Sequence, residues 1–125
     1  MNDRRQLSLK DVLSLFEREF AFLKNRFIVH SIPLVTARQN READINSPGV
    51  YIYWRSDLGV IKVGKSQTNA KKRALEHIRD NTKNTQFEMK DLENDQNAWL
   101  VLLNVQDKKV IHWLLSLEAF MDWNS

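Results

Sequence analysis

Every glycine in this 125-residue chain, Gly49, Gly59 and Gly64, falls within one short window, although glycine ordinarily punctuates loops throughout a domain. Between the outer two lie Val50-Tyr51-Ile52-Tyr53-Trp54 and Val60-Ile61-Lys62-Val63, two β-prone runs separated by a polar turn at residues 55–59. The window can fold as a hairpin and as little else. Its alternation puts Val50, Ile52 and Trp54 on one face and both tyrosines on the other. Glycine concentrated in this way marks backbone that turns tightly or is approached closely.

The flanks supply the layers that such a hairpin needs. Residues 8–27 read as one long amphipathic helix, because Leu9, Val12, Leu13, Phe16, Phe20, Leu23 and Phe27 recur at three- and four-residue steps, and Ser8 with Asp11 forms an amino-terminal cap. Leu15 and Phe22 lie off that stripe, where they widen the buried face or meet another subunit. Periodicity is lost over residues 28–47, interrupted by Pro33, which reads as a connector with a short strand near residues 34–37. A helix is expected at residues 70–79 behind an Asn69 cap, a long polar loop at 80–97, a buried strand at 98–105 and a closing helix at 108–123. The class expected is α+β: one domain over residues 1–125, with a small three-stranded antiparallel sheet flanked by helices. Residues 1–47 form its amino-terminal helix and connector, and residues 48–125 its core.

Composition narrows the chemistry. With no cysteine, disulfides, thiolate metal sites and a cysteine nucleophile are excluded, so any metal must be held by oxygen or imidazole. No apolar run is long enough to span a bilayer and no leader-like segment opens the chain, which sets a cytoplasmic expectation. The net charge of +3 says less than its distribution. Lys62, Lys65, Lys71, Lys72, Arg73, Arg79 and Lys83 stand against Glu76 and Asp80, whereas residues 88–107 carry five acids against Lys90 alone. This polarity suits a polyanion on one side, and equally a solvated helix face that happens to be basic.

A hairpin that opens Gly49-Val50-Tyr51 and closes Lys62-Val63-Gly64, with ten residues between the triplets, resembles the GIY-YIG nuclease family. The likeness continues through Arg73 and His77, which share a face of the next helix, to Glu118 on the last helix and Asn124 after it. It departs at Lys62, where the family's second triplet carries tyrosine. The resemblance implies the same sheet-and-helix arrangement and a metal-dependent endonuclease that hydrolyses DNA phosphodiesters. It assigns Tyr51, Lys62, Arg73, His77 and Glu118 to catalysis. Gly49, Gly64, Lys65, Lys71, Lys72 and Asn124 are then the substrate contacts.

The chemistry asked of these residues is in-line attack of water on a phosphodiester. Glu118 is the expected ligand of one Mg2+ or Mn2+, a single carboxylate suiting an ion bound mostly by water and substrate. Arg73 would hold the phosphate, and Tyr51 would act as base or relay with Lys62 or His77 assisting. Taken singly, each has a plainer role: a half-buried strand tyrosine, a solvated arginine, a satisfied histidine, a glutamate facing solvent. The rival expectation is a catalytically inactive nucleic-acid-binding or protein-interaction module with the same fold. A homodimer or partner protein docking through the amino-terminal helix is the further alternative.

Overall fold

The computed structural model describes residues 7–40, 43–81 and 88–123. The hairpin forms where the glycines put it: β2 (Gly49–Arg55) and β3 (Gly59–Ser66) pair antiparallel, and Gly59 takes the positive φ of 75° that closes the turn. The ladder shifts register between Tyr53 and Trp54, a bulge in which Ile61 of β3 is the extra residue, so that Val60 and Val63 both join the core of Val50, Ile52 and Trp54. The apolar run of β4 (Ala98–Val105) pairs with β2 on its other side, buried along nearly its whole length as a central strand should be.

The sheet has four strands, in the order β1-β4-β2-β3, rather than the three expected. The extra one, β1 (Phe27–Pro33), pairs antiparallel with β4 and lies where the sequence reads as helix end and connector. The misreading has a physical cause. Val12, Phe16, Phe20 and Phe27 all enter one core, but the chain reaches it first as helix α1 (Leu9–Glu19), then as a 3-10 turn (Ala21–Arg26), and finally as strand. Helical spacing was preserved across a change of structure. Pro33 is tolerated because β1 is an edge strand and the proline ends it. Residues 34–37, expected as strand, belong instead to a 3-10 helix (Leu34–Gln39).

Other expectations match. Ser8 and Asp11 form the reciprocal capping box of α1, and Leu15 packs into the same core. Helix α2 (Ala70–Arg79) starts behind Asn69, whose side chain accepts from the Lys72 amide. The polar stretch after it contains a 3-10 turn (Met89–Leu92) with Met89 and Leu92 buried. The closing element departs in part from the single helix expected over residues 108–123, being a 3-10 turn (Lys108–Trp113) followed by α3 (Leu114–Trp123).

Period-two alternation divides the interior into two cores. Val50, Ile52, Val63, Val101 and Leu103 meet α1 and α3 on one face of the sheet. Tyr51, Tyr53, Leu100 and Leu102 meet α2 and the 3-10 segments on the other. No described helix is long and apolar enough to cross a membrane.

Candidate functional site

Tyr51 sits in the middle of β2 directly opposite Gly64 on β3. A Cβ built on Gly64 would overlap Cζ and Oη of Tyr51, so the ring lies across the glycine, and any side chain there would push it away. This is why the second triplet must end in glycine. The Tyr51 hydroxyl then meets His77 Nε2 at 2.9 Å, inside the protein. Tyr53, two residues on and therefore on the same face, packs edge-on against the Tyr51 ring and donates its own hydroxyl to the Ala74 carbonyl at 2.6 Å. That bond fastens α2 to β2 at the residue next to Arg73, and so fixes the side of the helix that carries Arg73 and His77.

Electrostatics tie the cluster together. Burial pushes the Tyr51 phenol above its ordinary value; Arg73 draws it back by its charge and a side-chain hydrogen bond, while the charge of Glu118 adds to the rise. Lys62, opposite Tyr53 in the ladder, is lowered first by burial and then by the charge of Arg73. His77 is lowered by burial, then by Lys62 and Arg73, with Glu76 and Asp80 opposing. Near neutral pH the phenol is therefore protonated and the imidazole uncharged. In that state Nε2 accepts from the Tyr51 hydroxyl or donates to it, according to the imidazole tautomer. Arg73 is itself oriented by Glu76 one turn on, with Nη1 to Oε1 at 3.2 Å.

Glu118 arrives from the other face. It stands on α3, and its carboxylate lies 3.6 Å from Nζ of Lys65, with a quarter of its side chain exposed (25%). Lys65 pairs with Val50 in the ladder and so belongs to the face that α3 covers. β3 is an edge strand, and the charge of Glu118 reaches Tyr51 from the opposite face, adding to the rise of its pKa.

Of the residues singled out from sequence, Tyr51, Lys62, Arg73 and His77 gather on one face, and Glu118 joins them through its field. Gly64 lies under the Tyr51 ring and Lys65 pairs with Glu118, whereas the others are dispersed. Gly49 lies at the start of β2 opposite Ser66 and Asn104. Lys71 is buried, its ammonium donating to the Asn40 carbonyl at 3.0 Å, while Lys72 is exposed beside it. Asn124 lies outside the described residues. Sequence reasoning missed three contributions: Tyr53 as the anchor of α2, Glu76 as the partner of Arg73, and Lys65 as the ion-pair partner of Glu118. The first two carried a signal, since residues two apart on a strand or three apart on a helix share a face. The third depends on how α3 crosses β3, which no local spacing encodes.

Among the described residues no three His, Asp or Glu side chains cluster as a closed metal cage. Glu118 is the one carboxylate of the cluster that could hold a metal ion, and it would do so in place of its ion pair with Lys65. Comparison with protein families, with curated proteins and with solved structures gives no match to this chain.

Proposed function

We propose that the chain is a metal-dependent endonuclease of the GIY-YIG type, hydrolysing DNA phosphodiester bonds at Tyr51, Lys62, Arg73, His77 and Glu118. The observation that carries this is the Tyr51 hydroxyl, held against His77 Nε2 across Gly64 and lying within the fields of Arg73 and Glu118. An isolated packing tyrosine needs none of these neighbours. A buried phenol beside a neutral imidazole, an arginine and a carboxylate is an arrangement for moving a proton next to an anion.

The roles follow from the charges. Arg73, a planar cation at the exposed edge of the cluster, holds and neutralises the phosphate undergoing attack. Lys62, whose pKa is lowered first by burial and then by the charge of Arg73, has that repulsion offset when a phosphate enters between them. The Tyr51 hydroxyl takes a proton from the attacking water as it passes its own to His77, which can accept because burial and two nearby cations keep it neutral. A magnesium or manganese ion on Glu118 would supply Lewis-acid stabilisation of the departing alkoxide.

The test is nicking of supercoiled plasmid in the presence of Mg2+ or Mn2+. Wild-type protein is expected to cut, and Arg73→Ala and Glu118→Ala each to slow cutting by roughly 100-fold or more, the scale on which loss of one charge-stabilising group is felt. Cleavage that survives both substitutions refutes the assignment. A second reading, binding without hydrolysis, is favoured by the ion pair of Glu118 with Lys65, in which an ammonium occupies the carboxylate's attention, and by Lys62 in place of tyrosine. Salt-sensitive DNA binding with no cleavage across divalent ions would establish it.

A further inference from the structure

The outer side of α2, turned away from Tyr51, borders a cleft of about 310 Å3 that the proposed chemistry does not use. Its rim carries Arg38 from the 3-10 segment after β1, and Lys72 and Arg79 from α2, all exposed. Asn46 and Asn69 line the same space, the latter with its Oδ1 accepting from the Lys72 amide. Leu75 lies along the wall, and the buried stem of Lys71 runs beneath it. Three cations from separate segments converge on one concavity beside two asparagines, which is the charge a phosphate group requires.

The acids nearby do not cancel this charge. Arg38 faces Glu93 at 3.7 Å and Arg79 faces Asp80 at 2.9 Å, both pairs on exposed side chains, where water weakens the attraction and an incoming phosphate can replace the carboxylate. Glu76 also lines the cleft, but its carboxylate is engaged by Arg73. That bond has a further consequence: Glu76 is the shared wall between the cleft and the Tyr51 cluster, so the two lie on either side of one helix. A single polyanion strand passing over α2 can reach both.

We propose that this cleft is a second phosphate-binding subsite, holding the backbone of the nucleic-acid strand at a nucleotide away from the bond attacked beside Tyr51. The inference rests on the nuclease reading for the identity of the strand, and on the cleft's own residues for its location. Removing cations here weakens binding uniformly across sequences and lowers its salt dependence, because each phosphate contact releases counterions.

The experiment uses the whole chain carrying Glu118→Ala, binding a fluorescein-labelled DNA oligonucleotide, titrated by anisotropy from low to moderate salt. Into this background go either Arg38→Ala with Arg79→Ala, or Lys10→Ala with Arg18→Ala, the latter on the exposed outer side of α1 and equal in charge removed. The cleft pair is expected to weaken binding by about tenfold and to flatten the slope of log affinity against log salt by about one per cation. The α1 pair is expected to leave both nearly unchanged. Equal weakening by the two pairs, or no weakening by the cleft pair in protein that remains folded by circular dichroism, overturns the subsite. Binding that depends on the cleft while the unsubstituted chain cuts no DNA would leave the subsite standing and remove the nuclease. Cleavage and binding indifferent to the cleft would do the reverse.

Discussion

The two faces of the sheet bury comparable sets of side chains, yet one core is almost wholly apolar and the other is threaded with polar groups. Against α1 and α3 lie Val12, Phe16, Phe20, Val50, Ile52, Val63 and Leu117, with Phe16 packed edge-on to Phe27 and stacked on Phe20. Against α2 lie Tyr51, Tyr53, His77, Lys71 and Asn104 among the aliphatics. Burying a polar group is costly unless it is hydrogen-bonded, and most of the bonds are in place: Tyr51 to His77, Tyr53 to Ala74, Lys71 to Asn40, and the Asn104 amide N–H to the carbonyls of Ile45 and Ser47, with the Asn104 Oδ1 buried and unpaired. One face supplies stability, and the other spends part of that stability on fixing where polar atoms stand.

Phe16→Ala should have the largest effect on folding, a loss of roughly 3–5 kcal/mol from an apolar core that cannot fully collapse. Urea denaturation measures it, and a loss under about 1 kcal/mol would break the contrast between the faces. Next comes Gly64→Ala, whose methyl group displaces the Tyr51 ring at a cost of roughly 1–3 kcal/mol. It should also release His77 from Tyr51, visible as a moved imidazole resonance in NMR. An unchanged His77 signal would show that Gly64 is not what holds the pair together.

Tyr53→Phe should cost about 1 kcal/mol, the worth of one buried hydrogen bond, because the Ala74 carbonyl keeps its bond within α2. Because that bond positions Arg73 and His77, the same change should slow cleavage more than its small stability loss explains. The gentlest expected effect is on pH dependence. His77 is held below the ordinary imidazole value of 6.5, so beneath that pH the unfolded chain takes up a proton that the folded chain refuses. Stability is therefore full above about pH 6.5 and declines as pH falls through the range down to the lowered value. Melting temperatures from pH 7.5 to 5 should show that decline, and His77→Gln should flatten part of it.

How much of this was legible depended on whether the signal was local. The hairpin, α2 and its Asn69 cap, β4 and the sorting of tyrosines from aliphatics all follow from spacing within ten residues, and the structure has them where the pattern put them. Strand β1 was hidden because Phe27 completes a helical spacing and because His30, Ser31 and Pro33 blur the alternation of Ile28 and Ile32. Its identity is decided by pairing with β4, some seventy residues away. The pairing of Glu118 with Lys65 was illegible for the same reason, since it requires α3 to be laid along β3. Tyr51, Arg73 and His77 could be grouped from sequence because a ladder register and one helix face suffice to bring them together.

The central claim is that the Tyr51 hydroxyl takes part in cutting DNA rather than merely packing. Tyr51→Phe removes that one oxygen and leaves the ring over Gly64, so the fold should melt within a few degrees of wild type. Single-turnover cleavage of plasmid with Mg2+ or Mn2+ is then expected to slow by roughly 100-fold or more, the contribution of a positioned proton-transfer group. A Tyr51→Phe protein that cuts at the wild-type rate would contradict the claim.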